Sequence, residues 1–92
     1  MKTLAVLMTV HNRRVTTLKC LERLFLNPLP EGYALEVYLT DDGCTDGTAE
    51  AVAQQYPSVH IIQGDGSLFW NRGMWTAWNE AAKTDPDAYL WL

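Results

Sequence analysis

The reading of the fold turns on Leu35-Glu36-Val37-Tyr38-Leu39-Thr40-Asp41-Asp42-Gly43-Cys44-Thr45-Asp46-Gly47-Thr48. Residues 35–40 are an apolar, strand-forming run, and three carboxylates follow within six residues. A helical pattern then spans 48–56, with Asp46 or Thr45 as its expected N-cap and Pro57 closing it. Asp46 is explained by that helix start, where acids are favoured by the dipole. Two adjacent aspartates at a strand end are not, because like charges there repel.

The same alternation extends in both directions. Residues 4–9 form a continuous apolar run, the pattern of a strand covered on both faces. From 13 to 26 the period turns helical, with Leu18, Leu21 and Phe25 along one face and Val15 and Leu24 beside them. Asn27-Pro28-Leu29-Pro30-Glu31-Gly32 ends that helix, since proline cannot continue it. A third strand is expected at 59–63 and a turn at Gly64-Asp65-Gly66-Ser67. Met74, Ala77, Trp78, Ala81 and Ala82 then fall at helical spacing, placing Trp78 in the core, and Trp75 and Trp91 read as packing residues. Thr84-Asp85-Pro86-Asp87 stops the helix before a fourth strand at 89–92. The order βαβαβαβ predicts an α/β fold with a parallel sheet, flanking helices and right-handed crossovers.

Ninety-two residues allow one domain, 1–92, and a hydrophobic content of 48% supplies a core. A net charge of −4 and a pI of about 4.9 argue against nucleic acid as partner. Cys20 and Cys44 are too few for a disulfide scaffold and lack metal-site spacing, so reduced thiols are expected. Only residues 4–10 of the amino-terminal run are apolar, and His11-Asn12-Arg13-Arg14 follows at once, unlike a signal peptide. No stretch approaches the roughly 18 apolar residues of a membrane span. The closing Ala88-Tyr89-Leu90-Trp91-Leu92 is apolar to its last residue, as expected of a longer chain cut within its core.

In an open parallel sheet, ligands bind beyond the carboxyl ends of the strands. Three polar clusters fall there: Thr9-Val10-His11-Asn12-Arg13, Asp41-Asp42-Gly43 and Gly64-Asp65-Gly66. Known ligand loops fit poorly. An EF-hand begun at Asp42 would place Cys44 at its third position and Ala53 at its twelfth. The glycines of a dinucleotide fingerprint are missing after the first strand, and no phosphate loop is present. A carboxylate at the end of the second strand can instead accept hydrogen bonds from a uracil imide or from ribose hydroxyls.

Thr9-Val10-His11-Asn12-Arg13 and Val37-Tyr38-Leu39-Thr40-Asp41-Asp42-Gly43-Cys44-Thr45-Asp46-Gly47-Thr48 resemble the family 2 glycosyltransferases of the GT-A fold. Their motifs are P-T-Y-N-R and V-V-D-D-G-S-T-D-G-T; here Met8, His11 and Cys44 replace the proline, tyrosine and serine. Gly64-Asp65-Gly66-Ser67-Leu68-Phe69-Trp70-Asn71-Arg72-Gly73-Met74 looks like the G-D-G-x-L-F-W-x-x-G-M of a rhamnosyltransferase-like subgroup. The resemblance implies the Rossmann-like, carboxy-terminally truncated half of a GT-A fold. It implies a nucleotide site of Thr9, His11, Arg13, Asp41, Asp42, Asp65, Trp70 and Arg72. In that site Asp42 reads a uracil or thymine edge, Asp41 orients the loop and His11 packs on the base. His11 reads equally well as a solvated loop histidine, and Trp70 as a pocket wall or a staple at the helix start.

The family's acidic D-x-D motif, which holds Mg2+ or Mn2+ against the diphosphate, and its general base come later than Leu92. Asp85 and Asp87 flank Pro86 at the wrong end of the fourth strand to replace it. The resemblance therefore implies an inverting, metal-dependent parent enzyme using a UDP- or dTDP-sugar and a glycan or lipid-linked acceptor. Its expected place is the cytoplasm or the inner face of the membrane, in surface-polysaccharide synthesis. The 92 residues themselves are expected to bind no metal, to carry no catalytic residue and to lack turnover. A non-catalytic nucleotide-binding or assembly module of the same fold is the alternative. A flavodoxin-like or response-regulator domain is a third reading, but it expects acids after the first strand and a phosphoacceptor aspartate on the third.

Overall fold

The computed structural model describes residues 2–26 and 31–92. Its elements follow the predicted order: β1 (Lys2–Val10), α1 (Arg14–Leu26), β2 (Tyr33–Asp42), α2 (Thr48–Gln55), β3 (His60–Gly64), α3 (Phe69–Ala82) and β4 (Ala88–Trp91). The four strands form one parallel sheet in the order β3-β2-β1-β4. The turn expected at residues 27–30 lies outside the described residues.

Right-handed crossovers dictate the layers. The chain steps β1, β2, β3 in one direction, which leaves α1 and α2 on one face; it then returns past β1 to β4, which puts α3 on the other. Side chains alternate to match. Val6, Met8, Val10, Val37 and Leu39 join Leu21 of α1 and Val52 of α2 in one buried cluster. Ala5, Leu7 and Tyr38 face Met74, Ala77 and Ala81 of α3 in the other.

α3 lies very close to the sheet. A Cβ at Gly73 would stand inside contact distance of Thr9 Oγ1 and 2.7 Å from Thr9 Cβ. Thr40 Oγ1 donates to the Gly73 carbonyl at 2.8 Å, so helix, β1 and β2 are pinned at one point.

Several expectations need correction. β2 continues through Asp42, so Asp41 and Asp42 belong to the strand rather than to the turn after it. Their backbone pairs with both neighbours, Val10 opposite Asp41 and Gly64 opposite Asp42. The N-cap of α2 is Gly47, at φ 83, and not Asp46 or Thr45; Asp46 still accepts from Thr48 N at 3.1 Å. Trp78 is 43% exposed, because only the narrow stripe Gly73, Met74, Ala77 and Ala81 reaches the sheet. It leans outward over the edge strand, its ring 6.3 Å from Tyr89 and 6.2 Å from Trp91. Trp75, Trp91, Val15 and Ala82 are likewise exposed. Phe25 is at the surface too, stacked on Tyr56 at 5.3 Å.

Candidate functional site

The strand register brings the three polar clusters level. Thr9 pairs with Thr40, Val10 with Asp41, and Asp42 with Gly64, so the ends of β1, β2 and β3 form one rim. The loops beyond it are laced together. Thr45 N donates to Asn12 Oδ1 at 2.7 Å, Asn12 N to Cys44 Sγ at 3.2 Å, and Arg14 N to Asp46 Oδ2 at 3.2 Å. Gly43, at φ 69, stands so close to the β3 loop that a Cβ would come 2.7 Å from Gly66 Cα. Only glycine suits that backbone and that approach.

A cavity of about 460 Å3 opens at this rim, lined by Thr9, Val10, His11, Arg13, Asp42, Gly66, Phe69 and Trp70. A second groove of about 500 Å3, between α1 and β4, is lined by Thr16, Lys19, Cys20, Arg23, Leu24, Leu90 and Leu92. It has no carboxylate or imidazole and lies on the helix face, away from the polar strand ends. The first cavity is the one with convergent chemistry.

Asp42 is its best-held polar group. The residue is 3% exposed, yet its carboxylate is well satisfied: Oδ1 accepts from Gly66 N at 2.8 Å and Leu68 N at 3.2 Å, and Oδ2 from Phe69 N at 3.0 Å. These bonds satisfy the buried carboxylate, and two of them, from Leu68 N and Phe69 N, hold the start of α3, whose N-cap Leu68 makes no side-chain bond. An ionised carboxylate has about four acceptor sites. Three are taken, and the fourth lies on Oδ2.

His11 crosses from β1 to β2, its Nδ1 2.5 Å from the Asp42 carbonyl. A carbonyl only accepts, so Nδ1 carries the proton of this bond. Arg13 is the cation of the lining, and Phe69 and Trp70 are its aromatic members.

Five of the eight expected residues thus share the cavity: Thr9, His11, Arg13, Asp42 and Trp70. Asp41, Asp65 and Arg72 do not line it. Asp41 is 4% exposed and accepts from Cys44 N at 2.9 Å, holding the turn after β2. Asp65 closes on Ser67, accepting from its N at 2.8 Å and its Oγ at 2.6 Å. Those bonds, with a smaller contribution from Arg72, hold its carboxyl below the usual range. Burial and the neighbouring Asp41 push the Cys44 thiol up to about 11, so it is no nucleophile. Asp87 accepts from Thr3 N at 2.7 Å, at the opposite end of the sheet.

Sequence reasoning missed Val10, Gly66 and Phe69. Phe69 left a trace, since it adjoins Trp70 in the glycine-bounded segment, but its backbone conformation (φ 55) is not legible from residue types.

No cluster of three or more His, Cys, Asp or Glu side chains that could hold a metal occurs among the described residues. No helix among them is long and apolar enough to cross a membrane. No curated protein and no solved structure matches the chain. The family model described as glycosyl transferase family 2 matches residues 5–91, nearly the whole length and every residue of the cavity. On that match, over a parallel α/β sheet with its cavity at the strand ends, the chain belongs to glycosyl transferase family 2, whose members carry sugars from nucleotide-linked donors to acceptors.

Proposed function

We propose that the 460 Å3 cavity holds the nucleoside diphosphate of a UDP- or dTDP-sugar, as the donor-binding part of an enzyme of the rhamnosyltransferase-like subgroup. The observation that carries this reading is the cavity's combination of one buried carboxylate, one cation and flat rings. Uracil and thymine share an imide N–H, which suits the remaining acceptor site on Asp42 Oδ2. The rings of His11, Phe69 and Trp70 offer faces for the base. Arg13 supplies charge for the diphosphate, which the net −4 of the chain would otherwise repel. Asp41 and Asp65 act on loop shape, and Arg72 lends its charge nearby.

The reading assigns donor binding to these residues and gives the divalent ion expected of the family no part in this cavity. Inversion at the sugar, a glycan or lipid-linked acceptor, surface-polysaccharide synthesis and a cytoplasmic place complete the proposal as family-level readings.

Calorimetric titration of the chain with UDP, dTDP and CDP, each with and without manganese, tests it. UDP and dTDP are expected to bind alike and CDP at least about tenfold more weakly, because cytosine lacks the imide proton and leaves a buried acceptor unpaired. Manganese is expected to change nothing. Equal affinity for CDP removes the role of Asp42 in reading the base, and manganese-dependent binding removes the assignment without metal.

A further inference from the structure

We infer that Asp42 is a positioning residue that fixes Phe69 as an aromatic wall of the cavity, so that Phe69 supplies a face on which a flat base of either kind can stack. The inference rests on the nucleotide-binding reading and assigns a role to a residue outside the expected set.

Phe69 is oddly placed for a structural residue. Its φ of 55 lies in the left-handed region that disfavours a side chain, and the residue is 75% exposed. Stability alone would favour glycine here, since the ring gains little from burial. The position is nevertheless held from both sides. Asp42, anchored at the end of a central strand, accepts from Phe69 N through Oδ2 and from Gly66 N and Leu68 N through Oδ1. Its surroundings leave no spare room: a Cβ at Gly64 would come 2.9 Å from Asp42 Oδ1 and 2.7 Å from Leu68 Cδ1. Downstream, the contact of Gly73 with Thr9 and the Thr40 hydrogen bond keep α3 from sliding. Strain held by over-determined surroundings is a mark of functional positions. The open acceptor site on Asp42 lies on the oxygen that holds Phe69, so the group meeting the base edge also sets the wall beside it.

The test uses amide NMR of the 92-residue chain. Without ligand, the Gly66, Leu68 and Phe69 amide protons are expected at low field, as donors to a carboxylate; ordinary shifts at all three overturn the latch. Asp42→Asn keeps one carbonyl oxygen, which cannot serve all three donors. In this variant at least one of Leu68 and Phe69, whichever faces the amide NH2, is expected to exchange at least about tenfold faster, with Leu21 and Val52 unchanged. Exchange unchanged at both loop amides overturns the latch as well. Phe69→Ala should keep the wild-type shifts of Gly66 and Leu68 yet weaken UDP and CDP by a similar factor, about fivefold or more, with Phe69→Tyr restoring both. Undiminished UDP affinity in Phe69→Ala overturns the wall. A wild-type chain that binds no nucleotide overturns the nucleotide reading and the wall together, whereas the amide shifts decide the latch by themselves.

Discussion

Gly73→Ala probes the contact on which both the α3 layer and the cavity floor depend. The added Cβ would overlap Thr9 Oγ1, stand 2.7 Å from Thr9 Cβ and 3.1 Å from Thr9 Cγ2. These atoms belong to a short side chain on a central strand and cannot swing away, so α3 must lift. Overpacking of this kind costs about 1–3 kcal/mol. Lifting the helix also stretches the buried Thr40–Gly73 hydrogen bond of 2.8 Å, a further loss of about 0.5–1.5 kcal/mol. Against this, alanine gains about 0.8–1 kcal/mol of helix propensity over glycine. The net is a destabilisation of about 1–3 kcal/mol, or a fall in Tm of about 5–20 °C for a chain of this size. Thermal and urea unfolding followed by circular dichroism measure it. The double variant Gly73→Ala, Thr9→Ala should recover part of the loss, since it removes Oγ1 and Cγ2 but leaves Cβ. A Gly73→Ala chain as stable as the parent would refute the close packing of α3 on β1.

Three further outcomes are expected. With its pKa at about 11, the Cys44 thiol should react with iodoacetamide at pH 8 at least about tenfold more slowly than a free cysteine, measured by mass spectrometry of the Cys44 peptide. Its hydrogen bond with Thr48 holds the Asp46 carboxyl below its usual 3.8, so the unfolded chain binds more protons. Its stabilising contribution is therefore complete above about pH 5 and is lost as pH falls through the lowered value. The Tm difference between wild type and Asp46→Ala should accordingly be largest at neutral pH and shrink as pH falls into the acid range, and a difference undiminished in acid would contradict the assignment. Tyr38→Phe removes a hydroxyl 3.2 Å from Thr84 Oγ1 while keeping the ring stacked on His60 at 4.5 Å, so unfolding should report a loss of only about 0.5–1.5 kcal/mol.

Much of this was legible in the residues. Period and punctuation set the seven elements and their order, because apolar spacing reports which faces a segment buries and proline and glycine report where it stops. That order in turn dictates a parallel sheet, and a parallel sheet dictates where its polar strand ends gather. Thr9, His11, Arg13, Asp42 and Trp70 could be placed at one cavity on those grounds and on the family motifs.

Tertiary structure decided what each side chain does once there. Asp41 and Asp42 are neighbours in sequence, but alternation along a strand turns them to opposite sides, one to the Cys44 turn and the other to the Gly66–Phe69 backbone. Trp78 fits the helical period, yet α3 packs so closely through Gly73 and its alanines that the broad ring is displaced to the edge. Phe69 becomes a cavity wall only through a left-handed φ imposed by hydrogen bonds from a strand 27 residues earlier. Local sequence encodes which surfaces are buried; which donor meets which acceptor across the sheet is set by register and close approach, and those exist only in the folded chain.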